Sequence, residues 1–479
     1  MVPDREIASL SASTLARHVA ARELSPVEVL DACLERLVRL NPTVNAVVTV
    51  NPRAQEEARE LERRLLRRED LGLLGGLPVG IKDVTPVAGM RTTFGSPLFA
   101  EHVSVEDALV VKRFRQAGAV ILGKTNTPEF AAAGNTFNPV FGPTRNPWNL
   151  ERSAGGSTGG GAAGLAAGMI ALAEGTDLGG SLRIPASFCG VVGLRPGVGL
   201  VPTEPSDHLW DTLQVTGVMG RTAHDVALAL QAVAGPGELS PLGEPLDGRD
   251  FTGAVRNADA SGVRVAYCRD VAGIGIDAEV ERVCREAARA LEGAGAQVEE
   301  IQLDLSYARE AFLALRGLWL VTVLHPHLDR REHLGPDVAN DLRAGLATTT
   351  AEIAAAERAR KRIRETFHDL FRRFDVVLTP TIAVPPFPAE EDYPRTVAGR
   401  EVKTYVDWLA PTFVLSLTGL PVASVPAGLD ASRLPVGLQI VAPPRGEERA
   451  LALAAVVQKL RPVGLPPLPL GRELQLSPG

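Results

Sequence analysis

Between positions 155 and 199 glycine and alanine occur at a density that an exposed helix or strand does not tolerate, yet the stretch is also strongly apolar. Small residues offer little side chain to bury, and a glycine inside a helix costs roughly 1 kcal/mol relative to alanine. A segment reading GGGAAGLAAGMIALAEG therefore holds as a helix only where neighbouring backbones approach closely and enclose it. Such a segment belongs in the middle of a large core, and 479 residues suffice to build one.

The flanking sequence supplies the layers for that core. Apolar residues at Leu15, Val19, Val27, Leu30, Leu34 and Leu37 follow a helical period, with Ser25 and Pro26 placed as N-cap and first-turn proline of a second helix. Residues 53–70 read as a charged helix, so 1–70 is expected to be a helical segment packed on an α/β domain spanning 71–479. Apolar runs ending at Lys82 and over 119–123 read as strands, with a helix over 107–118 between them. A helix beginning at Ala223 closes the central region, and 235–253 reads as a proline- and glycine-rich surface loop. Residues 235–375 form a more variable insertion: two strands flanking a helix over 278–293, then long helices near 306–324 and 348–374. The last unit is two apolar strands followed by a helix over 447–460. Strands alternating with helices predict an α/β fold: a large mixed, mostly parallel central β-sheet with helices on both faces.

Bulk properties exclude several classes. A net charge of −7 without a long basic run argues against a nucleic-acid surface. Cys33, Cys189, Cys268 and Cys284 are scattered with no metal or redox spacing and read as buried thiols in a reducing compartment. The N-terminus lacks the apolar core of a secretory leader, and no run of roughly 18 apolar residues predicts a membrane span. A cytoplasmic enzyme is expected.

Three motifs compete for the chemistry. Residues 118–125, GAVILGKT, match the phosphate-binding P-loop pattern, but the positions that must form a flexible cradle are Ala-Val-Ile-Leu, which make a strand. Gly155-x-Ser157-x-Gly159 matches a nucleophile elbow, yet the preceding RNPWNLERSAGG is polar and loop-like where an elbow needs an apolar strand. A histidine base is also missing from a suitable setting: His325, His327, His333 and His368 lie in or beside charged helices. In GTDLGGSLRIP, Gly179-Gly180-Ser181 puts a serine behind two residues without side chains, so that successive backbone N–H groups converge on one cavity. Asp177 and Arg183 flank this turn with opposite charges. The serine needs a base, and Lys82 at the end of PVGIKDV is suited to it: burial brings a lysine toward neutrality, whereas arginine stays charged. In a chain with only Lys82, Lys112, Lys124, Lys361, Lys403 and Lys459 among its 50 basic residues, that placement is informative. Ser157 then passes a proton between Lys82 and Ser181, and the relay needs no histidine, metal or cofactor.

These residues resemble the amidase signature family. The likeness is densest over 155–196 and extends to GLPVGIKDV at 76–84, to 107–130, to FGPTRNPWN at 141–149 and to the C-terminal LTGLPVASVPAG and LPVGLQIVAP. It implies Lys82 as general base, Ser157 as bridging serine on a cis peptide after Gly156, and Ser181 as the acyl-forming nucleophile. It also implies an oxyanion hole from the backbone N–H groups of Leu178, Gly179, Gly180 and Ser181. Thr158 stands where the family has a second serine and keeps a hydroxyl for Lys82. The implied activity is hydrolysis of amide C–N bonds, with esters and carbamates as related substrates.

The substrate is expected to be a small hydrophobic or aryl amide. Small residues at Ala131, Ala132, Ala133 and Gly134 leave room beside the nucleophile, and Trp210, Trp319, Tyr405 and Trp408 fall in segments that line such pockets. The alternative within the family is the glutamine-hydrolysing subunit of a tRNA-dependent amidotransferase, from which residues 202–222 depart; the remote alternative is a P-loop nucleotide-binding protein. No nucleic-acid or membrane partner is implied, and a homodimer is left open.

Overall fold

The computed structural model describes residues 7–468. Its centre is an eleven-stranded sheet. In chain order the strands are β1 (Val47–Val50), β2 (Pro78–Lys82), β3 (Val120–Thr125), β4 (Leu172–Asp177), β5 (Val192–Arg195), β6 (Val215–Gly220), β7 (Arg264–Cys268), β8 (Gln297–Ile301), β9 (Val376–Pro380), β10 (Val422–Leu429) and β11 (Pro435–Val441). Their spatial order is β1-β3-β2-β4-β6-β5-β10-β11-β9-β7-β8. Parallel pairs form two blocks, β3-β2-β4 and β9-β7-β8, joined through antiparallel strands. The expected large mixed sheet flanked by helices is therefore present.

Local signals explain much of the architecture. Ser25 accepts from Glu28 N and Glu28 accepts in return from Ser25 N, so the helix Pro26–Val44 starts at the anticipated cap. The helix Ala278–Gly293 connects the parallel strands β7 and β8 as a βαβ unit. Strands β2, β3 and β4 are buried along their whole length, which is why they read as apolar runs rather than alternating ones.

Several elements differ from the sequence reading. The small-residue segment is two elements: the helix Gly159–Ala166 and the strand β4. Gly168 at φ +73° ends the helix in the left-handed conformation that glycine adopts without strain. The N-terminal segment is not wholly helical, because β1 pairs antiparallel with β3 at the sheet edge. The short strands β5 and β6 and the helix Pro336–Ala347 have no clear period in the sequence. One apolar stretch, Ala308–His333, is long enough to cross a membrane by composition, and half of the apolar 18-residue window within it is buried inside the chain.

Candidate active site

The chain passes from β2 to β3 on one side and later returns to β4 on the other, so β2 and β4 flank a topological switch point. Crevices open at the carboxyl ends of parallel strands at such points. Lys82 is the last residue of β2 and Asp177 the last of β4, so both stand at the carboxyl ends of these parallel strands.

Lys82 is fully buried. Its Nζ donates to Ser157 Oγ at 2.7 Å and to Thr176 Oγ1 at 2.9 Å. Burial pulls the Lys82 ammonium down to about 7, against the opposing pull of the Glu174 and Asp177 carboxylates. Glu174 is itself pushed up by burial, so both groups move toward their neutral forms. The Glu174 carboxylate accepts from Lys82 N at 3.0 Å and from Thr85 Oγ1 at 2.9 Å, fixing the end of β2 beyond its last ladder pair with β4, Gly80 with Ala173. No sequence pattern singles out Thr176 or Glu174. The hydroxyl beside Lys82 is that of Thr176, not Thr158, whose Oγ1 instead faces Thr176 O at 3.5 Å.

Ser157 sits on a turn built to hold it. The Gly156–Ser157 peptide is cis. Thr136 Oγ1 donates to Gly155 O at 2.8 Å and accepts from Gly159 N at 3.1 Å, bridging the two sides of the serine. A Cβ on Gly156 would lie 2.9 Å from Asn135 C and 3.0 Å from Gly134 C, so the turn packs backbone to backbone on the 133–135 loop. The helix that follows docks equally closely, since a Cβ on Gly160 would meet Asn126 N at 2.2 Å. The glycines of AGGSTGGG thus serve close packing around Ser157.

Ser181 lies on the facing turn, and Thr158 N donates to Ser181 O at 3.1 Å, tying the two serine segments together. Asp177 anchors the turn: its carboxylate accepts from Gly180 N at 2.9 Å, Leu182 N at 3.1 Å, Arg183 Nε at 3.0 Å and Arg183 Nη2 at 2.8 Å. Burial alone would raise Asp177, but Arg183, Arg195 and the amides outweigh it and hold the carboxyl at about 2. The expected Asp177–Arg183 pair is therefore present, buried on both sides. The bond from Gly180 N corrects one expectation. That amide is committed to Asp177, so Leu178, Gly179 and Ser181 are the amides of this turn with no intramolecular acceptor among the described residues.

Ser157 and Ser181 line one cleft together with Ala131, Ala133, Gly134 and Gly179. The 131–134 loop is pinned by the bond from Arg316 Nη2 to Ala132 O at 3.1 Å. Arg316 is paired in turn with Asp341 at 2.7 Å and hydrogen-bonded with the Tyr405 hydroxyl. Phe312, Trp319, Leu320 and Leu409 make the rest of the wall largely apolar. Trp319 and Tyr405 line the cleft as the sequence suggests. Trp210 does not: it is 68% exposed and outside the cleft, while Trp408 is a core residue packed against Phe188 and Phe387. Among the described residues no histidine lines the cleft. The P-loop lookalike is part of β3, and Lys124 is fully buried with its Nζ on Thr85 O and Thr92 Oγ1, leaving nothing to hold phosphate.

Comparison with known proteins agrees with this arrangement. An amidase family model matches residues 28–451. An acylamidase of Rhodococcus erythropolis is 36% identical over 461 residues, covering 95% of this chain and 96% of that protein. A glutamyl-tRNA(Gln) amidotransferase subunit from Carboxydothermus hydrogenoformans is 34% identical, with 94% and 96% covered. Among solved structures, a bacterial aryl acylamidase of the amidase signature enzymes superposes with a TM-score of 0.89 at 28% identity, covering 95% of this chain and 96% of that one.

Proposed function

The chain belongs to the amidase family, and we propose that the reaction of this amide C–N hydrolase runs through Ser181 as nucleophile, Ser157 as proton bridge and Lys82 as base. The observation that carries this reading is the 2.7 Å contact between a buried Lys82 and Ser157 on the wall of a cleft that also holds Ser181. Lys82, buried behind Ser157, is shifted toward the neutral amine, the form in which it accepts a proton.

Neutral Lys82 takes the Ser157 proton while Ser157 takes that of Ser181, and Ser181 Oγ bonds to the substrate carbonyl carbon. The charge that develops on the carbonyl oxygen is met by amides of the 178–181 turn, each worth on the order of 3 kcal/mol in such sites. The C–N bond then breaks as the proton returns along the same path to the nitrogen, releasing the amine. Water gives its proton to the relay and attacks the acyl ester, releasing the carboxylic acid and restoring Ser181.

The apolar wall supports a hydrophobic or aryl amide as substrate, in keeping with the acylamidase and aryl acylamidase to which the chain is similar. An amino-acid substrate such as glutamine presents an ammonium and a carboxylate. Arg316 is the one charged side chain lining the cleft among the described residues, and its charge is closed by Asp341. That favours a stand-alone amidase over one component of an amidotransferase complex. The test is a hydrolysis screen of the isolated chain against aryl amides, fatty amides, primary amides and carbamates, with Ser181→Ala as control. Turnover of aryl amides lost in Ser181→Ala supports the reading, and full activity in that variant overturns it.

A further inference from the structure

One face of the helix Ala308–Leu324 walls the cleft that holds Ser157 and Ser181. Phe312, Arg316, Trp319 and Leu320 fall on it at the i, i+4, i+7 and i+8 spacing of a single helical stripe. Arg316 interrupts an otherwise apolar and aromatic surface, and donors placed in such a setting are costly unless they find acceptors.

The chain answers only part of this guanidinium. Every hydrogen bond that Arg316 makes among the described residues leaves from Nη2: to Ala132 O at 3.1 Å, to Asp341 Oδ2 at 2.7 Å and to the Tyr405 hydroxyl. Nε and Nη1 meet no acceptor among the described residues. Neither is sealed off by its neighbours, in contrast to the unpartnered Nε of Arg195 and of Arg221. Arg316 is 9% exposed and borders the cleft, so the edge carrying Nε and Nη1 opens there. The side chain is also held in place, with Cζ 5.4 Å from the centroid of the Tyr405 ring. The other polar tips of this wall are engaged: Trp319 Nε1 donates to Asp211 Oδ2 at 2.8 Å and the Tyr405 hydroxyl donates to Asp341.

Charge and donors select different ligands at this edge. Asp341 already neutralises the guanidinium, so a carboxylate would meet a paired ion, whereas two N–H groups remain for a neutral oxygen. Phe312 fixes the position of the edge along the cleft. Its ring would lie 3.0 Å from a Cβ on Gly179, in the turn that carries Ser181. Arg316 stands four residues further along the helix, about 6 Å by helical rise.

We propose that Arg316 is a specificity-determining residue whose Nε–Nη1 edge receives a neutral hydrogen-bond acceptor on the substrate, about one helical turn from the scissile carbonyl. The substrate is then an apolar amide that carries one carbonyl-type oxygen remote from the bond that breaks. This rests on the cleft holding Ser157 and Ser181 as the site of hydrolysis.

Two matched substrate pairs test it, each exchanging a ketone C=O for CH–CH3. One pair is levulinoyl anilide and isocaproyl anilide; the other is meta-acetylacetanilide and meta-isopropylacetanilide. Arg316→Lys keeps an ammonium for Asp341 and loses the planar edge. It is expected to lower the ketone-to-hydrocarbon ratio of kcat/KM at least tenfold in one pair or both. Intrinsic reactivity cancels when the same ratio is compared between enzymes, and the ratio is insensitive to the fraction of folded protein. Arg316→Gln serves if Arg316→Lys is inactive. Asp341→Asn uncovers the charge and is expected to raise turnover of succinanilic acid relative to levulinoyl anilide at least fivefold. Unchanged ketone-to-hydrocarbon ratios in both pairs overturn the assignment of Arg316 while leaving the relay standing. An unchanged carboxylate-to-ketone ratio in Asp341→Asn overturns the selection for a neutral acceptor. Wild-type activity retained in Ser181→Ala removes the relay and the assignment of Arg316 with it.

Discussion

Lys82 Nζ donates to Ser157 Oγ across 2.7 Å with both side chains buried, and among the described residues the other hydrogen-bond partner of that amine is Thr176 Oγ1 at 2.9 Å. A lysine so enclosed, facing hydroxyls, is held near neutrality by burial at about 7, and the nearby carboxylates keep it from falling further. Since the proposed relay needs the neutral amine, kcat/KM is expected to rise about tenfold per pH unit on the acid side and to level off above about 7. A profile of an aryl amide between acid and alkaline pH checks this; a flat profile contradicts it.

Thr176→Val keeps the shape of the side chain and removes one acceptor from Lys82. Loss of a buried hydrogen bond worth about 1–2 kcal/mol predicts a fall in kcat/KM of roughly 5–30-fold. The hydroxyl favours the charged amine, so its removal lowers the lysine pKa and moves the acid limb to lower pH. A purely structural role for Thr176 would lower the melting temperature without moving that limb.

Asp177 holds the turn that carries Ser181 through two amides and Arg183, with Arg195 beside it. Removing one partner of a buried pair leaves uncompensated charge and costs about 3–5 kcal/mol. Asp177→Asn is therefore expected to lower the denaturant midpoint at neutral pH substantially. Because its folded pKa is depressed from 3.8 to about 2, the Asp177 contribution is complete above about 4 and is lost as pH falls through 2. The destabilisation caused by Asp177→Asn should shrink over that window, as unfolding measured at several acidic pH values would reveal.

Gly156 has no room for a side chain, since the Cβ would press on the backbone at Asn135 and Gly134. Gly156→Ala must shift the Ser157 turn, and a displacement on the order of 1 Å in a reacting constellation costs about 100-fold in rate. Steady-state kinetics on an aryl amide check this; a variant with more than a third of wild-type kcat/KM contradicts the tight-turn account.

The residues proposed to carry the chemistry are legible in the sequence because the proposed roles constrain their types: a lysine ending an apolar strand, and a serine behind two glycines. Residues that only support them are not. Thr176 and Glu174 sit on a buried strand whose sequence, LAEGTD, looks like part of a glycine-rich helix until Gly168 is known to end it. Thr136 bridges the Ser157 turn from a loop 21 positions upstream, a contact that no local pattern encodes. The role of Gly180 N escapes the sequence because which amides of a turn point into a cavity depends on what else competes for them, here Asp177. Trp210 escapes it for a related reason: an aromatic in a variable segment carries no signal of which way the loop turns it.

The assignment of Ser181 is tested most directly by intact-mass measurement after treatment with a small fluorophosphonate. One adduct is expected on the wild-type chain, mapping to Ser181, and none on Ser181→Ala. An adduct of equal yield on Ser181→Ala, at Ser157 or elsewhere, would contradict it.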